Sequence, residues 1–409
     1  MTQEFKNMMH LLGCASLGST LNCDITSDYD VILEKAREQG IFHLVFASLK
    51  LLHKKGEIKL DNYEKINSQV MISCNRNACK IAAFNEVIKE FENRKISYAV
   101  LKGDTLSTLY KFPAMRISGD IDILVDEDRE SDVLKIMSEF GFSYSPRSKS
   151  ANHTECRHPV IGLVEVHISL YYDFMTSVWF NGHRAEENFR KVKLSDDNEC
   201  FTLSINDGYV YLILHAVKHF LSNGLTLKQI MDIVLYTANY FKDIDFVNAD
   251  KLFTKLKYKK FVDCLYYIGQ KYWGINLFNI DNHLDIVCEE ILSDCENSGA
   301  FGIKKSMGDF YELYNEIKLK EKGSIDFVRH MTKWRRDNLK DYLSLTKRSM
   351  NEKYPHLGVW RARITHLKNV LHKMIKQRKK IHQFVKYKPI ADEIKGTERM
   401  KLIKDLDMI

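Results

Sequence analysis

The chain has 409 residues, too many for one simple hydrophobic core, so two or three packed regions are expected. It is 45% hydrophobic and 28% charged, ordinary values for a soluble globular protein, and its 5 prolines and 19 glycines favour helices joined by short loops. The net charge of +7 is a mild excess that does not by itself imply nucleic acid. The cysteines (Cys14, Cys23, Cys74, Cys79, Cys156, Cys200, Cys264, Cys288 and Cys295) are odd in number, scattered, and form no Cys-x-x-Cys pair. That pattern excludes a disulfide framework and a zinc module and points to reduced thiols in a cytoplasmic protein. No apolar run approaches the length of a membrane span. The first stretch, "MTQEFKNMMHLLGCASLG", carries Glu4 and Lys6 beside a short apolar run and reads as a helix, not a signal peptide.

Residues 1 to about 95 read as helices. Val31, Ile32, Ala36, Ile41, Leu44, Val45, Leu49 and Leu52 fall near helical spacing, with Gly40 as a break. "NACKIAAFNEVIKEFENRKI" continues the pattern to Ile96. The texture then changes. "SYAVLKG" reads as a strand entering a turn, "DTLSTLYKF" as a short helix and "IDILVD" as a second strand. "DRESDVLKIMSEFGF" reads as a helix ending at Gly141, and "NHTECRHP" and "GLVEVHISLYY" as further strands. Helical texture returns with "INDGYVYLILHAVKHFLSNG" and "LTLKQIMDIVLYTANYF". The expected fold is α+β and mostly helical. A small mixed-sheet core over 96–200 is embedded between helical regions at 1–95 and 201–409.

The chemistry concentrates in the core. Side chains alternate along a strand, so Asp120 and Asp122 share one face while Ile121 and Ile123 turn to the other. In "GLVEVHISL", Leu163, Glu165 and His167 likewise share a face, opposite Val164 and Val166. Three carboxylates converging from adjacent strands make a site of hard oxygen donors suited to Mg²⁺, with Mn²⁺ as an alternative. Two such ions would clamp an in-line phosphoryl or nucleotidyl transfer. Lys102 and Gly103 end the preceding strand just before a helix, where backbone N–H groups can approach a phosphate. Arg116 could fork onto phosphate oxygens. Each feature also has a plainer reading: a solvated Asp-x-Asp turn, a strand-end glycine, an Arg116–Asp120 pair. Their order along the chain is harder to produce by chance.

This order resembles the nucleotidyltransferase superfamily of the polymerase-beta type. More closely, it resembles an uncharacterised nucleotidyltransferase family whose motif runs Lys-Gly, Tyr, Arg, then Asp-Ile/Leu-Asp-Ile/Leu-Leu-Val. Here these are Lys102-Gly103, Tyr110, Arg116 and Asp120 to Val125. Glu165 to His167 resembles the family's acidic-x-His segment, and "LHAVKHF" with "LKQIMDI" resembles the helices after the core. The resemblance implies metal ligation by Asp120, Asp122 and Glu165, with Lys102, Gly103 and Arg116 on the triphosphate. The superfamily's usual turn is Gly-Ser or Gly-Gly, about a dozen residues before the acidic pair. This chain has Lys-Gly-Asp, with Asp120 17 positions after Gly103, so Lys102 or Ser107 would have to replace the turn's serine.

His215 and His219 stand at i and i+4 on a helix, but Ala216 follows the first histidine where a zinc protease needs glutamate. They are polar residues on a packed face or substrate contacts. His153, His167 and Asp232 are further candidates for substrate contact. Near the end, Val359 to Lys388 carries ten Lys or Arg and no acid, over an apolar stripe from Trp360 to Val385. This basic amphipathic helix packs on the body, lies on an anionic membrane, or binds nucleic acid; the first is favoured.

The reading is a metal-dependent transfer of a nucleoside monophosphate from an NTP to an unidentified acceptor, such as a small molecule or biosynthetic intermediate. The alternatives are a toxin-like enzyme modifying RNA or protein, and a catalytically silent nucleotide-binding module.

Overall fold

The computed structural model describes residues 1–19, 25, 28–145, 147, 152–170, 179, 189–195, 198–221, 224–298 and 398–408. The basic stretch at 359–388 lies outside the described residues. Two compact units divide the chain. The first is Met1–Pro146 with Asn152–Glu312 and Asp405–Ile409; the second is Arg147–Ala151 with Leu313–Lys404. The expected boundaries near 95 and 200 fall inside the first unit, and the last described helix is α12 (Glu398–Asp405).

Four helices open the chain: α1 (Gln3–Leu17), α2 (Tyr29–Glu38), α3 (Phe42–Lys54) and α4 (Tyr63–Asn93). Thr2 caps α1 by accepting from the Phe5 N–H, and Asp28 caps α2 by accepting from Asp30. Gly40, at φ 68°, separates α2 from α3 where the sequence places a break. The buried side of α4 carries Phe84, Val87, Ile88 and Phe91, three and four residues apart, and this stripe lies on the sheet.

The sheet order is β1 (Tyr98–Val100), β2 (Asp120–Val125), β5 (Gly162–His167), β4 (His153–His158), β3 (Ser143–Tyr144). β2 and β5 are parallel and the other neighbours antiparallel, so the sheet is mixed as expected. The helices α5 (Asp104–Ser107) and α6 (Glu130–Glu139) lie between β1 and β3 in the chain. A hairpin of β6 (Arg190–Ser195) and β7 (Asn198–Thr202) follows. The sequence reading missed it, although "RKVKLSDDNECFT" is two short alternating runs about a polar turn. The first unit continues with α7 (Ile205–Leu221), α8 (Leu227–Asn239), α9 (Phe246–Lys255), α10 (Lys259–Trp273) and α11 (Asp285–Ser298). Among the described residues no helix is long and apolar enough to cross a membrane, and the eight described cysteines form no disulfide.

Strand alternation divides the core. Ile121, Ile123, Val125, Val164 and Val166 pack with α4 and with Val133, Ile136 and Met137 of α6. On the other face Leu124 joins Ala99, Leu101 and Tyr211 of α7. That second face is where the polar residues of β2 and β5 collect.

Candidate metal centre

The β2–β5 register sets Asp122 opposite Glu165 and Leu124 opposite His167. Parallel neighbours in this register put the three polar side chains on one face. His167 Nε2 lies 3.1 Å from Asp122 Oδ1 and 3.3 Å from Glu165 Oε2. One ligand atom from each of Asp122, Glu165 and His167 falls within 4.8 Å of the other two. Asp122 and His167 are buried, while the Glu165 side chain is 23% exposed and gives the group its access to solvent.

A buried carboxylate needs a counter-charge. Lys102, just past β1, brings Nζ to 3.3 Å from Asp122 Oδ2. Burial works against its ammonium, but Asp122, Asp120 and Glu165 outweigh it and raise its pKa. The same balance holds at His167: burial disfavours the proton, and the bonds to Asp122 and Glu165 hold it, raising the pKa. The His167 bond is the main cause that lowers the pKa of Glu165. The acidic cluster therefore carries its own cations.

The trio differs from the expected one. Asp122 and Glu165 meet, but their third partner is His167, and Asp120 stands half-buried one step along the same face. Asp120 lies within electrostatic reach of Lys102 and Lys80. Expected as a substrate contact, His167 sits inside the carboxylate group because Glu165 and His167, two apart on one strand, project together.

The turn before the acidic strand is tightly braced. Gly103 has φ 80°, and a Cβ there would meet Ser118 Oγ at 3.2 Å, so only glycine suits the position. Arg116, expected on a phosphate, is buried beneath this turn. Its Nη1 donates to Gly103 O at 2.8 Å and Ser118 Oγ at 2.7 Å. Its Nε and Nη2 fork onto Asp232 Oδ1 and Oδ2 at 2.9 and 2.7 Å. Tyr110 OH donates to the same carboxylate at 2.7 Å. Asp232, expected to meet substrate, is thus the anchor that ties α8 to the Gly103–Ser118 link. From α4, Lys80 Nζ donates to Ser118 O at 3.1 Å. The sequence reading missed Lys80. Its signal was a lysine at a core phase of an apolar helix, four residues before Phe84.

On α7, His215 Nε2 lies 3.3 Å from Lys102 Nζ and 3.0 Å from His219 Nε2. An ammonium only donates, so in the Lys102 contact His215 Nε2 is the acceptor. Burial pushes the pKa of both rings down, and the Lys102 charge adds to it; His219 falls to about 4. His153 faces His167 across the β4–β5 pair with ring centroids 5.1 Å apart. His167 thus touches the carboxylates directly, while His153 stacks behind His167 and His215 reaches them through Lys102.

The neutral histidines set an acid limit. His219 by burial and the Lys102 charge, and His43 by burial and its cationic neighbours Arg37 and Lys228, titrate at about 4 in the folded protein. In the unfolded chain a histidine titrates near ~6.5. As pH falls through this window the unfolded chain takes up protons first. Stability should therefore drop from about pH 6.5 towards 4. His219→Gln should flatten part of that drop in urea melts at stepped pH, and an identical pH profile would refute the assignment.

A family model described as an uncharacterised nucleotidyltransferase matches residues 26–274, more than half of the chain, a span that includes the site above. No curated protein matches the chain.

Proposed function

Because the chain belongs to this uncharacterised nucleotidyltransferase family, we propose that it transfers a nucleoside monophosphate from an NTP to an acceptor hydroxyl or phosphate on a small molecule, releasing pyrophosphate. The observation that carries the reading is the convergence of Asp122, Glu165 and His167 beside Lys102 and the Gly103 turn.

The donor set suits a divalent cation: two carboxylates and an imidazole, with the ligand atoms of all three already gathered. The carboxylates favour Mg²⁺, and the imidazole makes Mn²⁺ a good alternative. A bound divalent cation would stabilise charge on the transferred phosphoryl group and on the departing pyrophosphate. The protein's own groups do the rest. Lys102 adds positive charge beside Asp122 where the polyphosphate would lie. The Gly103 turn, which has no Cβ, lets a phosphate approach the backbone. Glu165, the solvent-facing carboxylate of the trio, takes the acceptor's proton. Asp120 extends the acidic face, and Arg116 and Lys80 hold the turn that delivers it.

The test is transfer of label. The four NTPs, each labelled at the α-phosphate, are incubated with the protein and a small-molecule extract in Mg²⁺ or Mn²⁺. The reading expects one or more labelled adducts together with released pyrophosphate. Label recovered only as free nucleotide, or adducts formed equally without divalent cation, would sink it.

A further inference from the structure

The bonds of Arg116 run to Asp232, Gly103 and Ser118. The expected phosphate cation must then come from elsewhere, and the structure offers one on α8. Lys228 is the second residue of that helix, one turn before Asp232 on the same side. Through Asp232 and Arg116 that side is tied to Gly103 and to Ser118, two residues ahead of Asp120. The Lys228 ammonium is within electrostatic reach of Arg116, Asp232, Asp120 and Lys102.

Its placement is unfavourable in the free protein. Lys228 is half-buried, and among the described residues it makes no hydrogen bond or ion pair. It stands in the first turn of a helix, where the helix dipole opposes a cation. Burial and then the neighbouring Arg116 push its pKa down to about 8. The helix start itself offers little to a ligand. Thr226 Oγ1 accepts from the Gln229 N–H in a capping box, and the Leu227 N–H donates to Gln39 Oε1 at 3.2 Å. The uncommitted group is the ammonium.

We propose that Lys228 binds the polyphosphate of the nucleoside triphosphate from the start of α8, the part expected of Arg116. This rests on the nucleotidyl-transfer reading above. An anionic ligand there would relieve the repulsion between Lys228, Arg116 and Lys102.

Calorimetric titration with inorganic tripolyphosphate and with ATP, GTP, CTP and UTP, in the presence of Mg²⁺, tests it. Mn²⁺ is titrated separately. Lys228→Gln should weaken tripolyphosphate binding about tenfold or more, the scale of one lost charged hydrogen bond. Lys228→Arg should recover much of it, and Mn²⁺ affinity should be unchanged in both. The ligand-free melting temperature of Lys228→Gln should rise, since an unpaired half-buried charge has been removed. Wild-type binding matched by Lys228→Gln would overturn this proposal and leave the nucleotidyl-transfer reading intact. A wild-type protein that binds neither tripolyphosphate nor any of the four NTPs would overturn both.

Discussion

Asp122→Asn should abolish the protein's stabilisation by divalent cations and lower nucleotidyl transfer by on the order of a hundredfold or more, the scale for one lost group that stabilises transition-state charge. Asp122 is the residue on which the site turns. One of its oxygens meets His167, the other meets Lys102, and Glu165 stands opposite it on the neighbouring strand. Asparagine keeps the shape but removes the charge. Lys102 would keep its contact with His215 and lose its closest counter-charge. The ligand-free protein should therefore also melt at a lower temperature than wild type. Melting curves with and without Mn²⁺, read beside label transfer, check both parts. Equal Mn²⁺ stabilisation of the two proteins would exclude Asp122 as a ligand.

A second large effect is expected at the Arg116–Asp232 pair. The side chains are 4% and 6% exposed and joined by a two-bond fork. Removing one partner strands the other charge, which costs about 3–5 kcal/mol for buried pairs. Arg116→Met leaves the Asp232 carboxylate with Tyr110 OH as its hydrogen-bond donor. Asp232→Leu leaves the guanidinium over Gly103 O and Ser118 Oγ. Each single variant should lose about that much stability in urea melts. The double variant should lose clearly less than the sum, because neither charge is then left alone. A phosphate-binding Arg116 would behave differently: Arg116→Met would weaken nucleotide binding with little loss of stability.

The two assignments show what the residue order can convey. The face shared by Asp120 and Asp122, and that shared by Glu165 and His167, follow from strand alternation, and both are seen in the sheet. Which of the four meet is a matter of register between β2 and β5, set by side chains far apart in the chain. That register brings His167 into the group and leaves Asp120 beside it. Arg116 shows the same limit. Four residues before Asp120 it looks available to a phosphate, and its true partner lies 116 residues away on α8. Lys228 was hidden for a related reason, since a lysine at a helix start reads as a solvated charge until the helix is docked. The hairpin of β6 and β7 was legible from alternation and was overlooked beside the stronger pattern of the core.

The most direct measurement is electron paramagnetic resonance of Mn²⁺ bound to the protein, with and without a non-hydrolysable NTP. The account predicts ¹⁴N coupling from His167, lost in His167→Gln, and ³¹P coupling that appears when the nucleotide is added. Asp122→Asn should bind Mn²⁺ too weakly to give either signal. Tightly bound Mn²⁺ without nitrogen coupling, or without phosphorus coupling in the presence of nucleotide, would contradict the account.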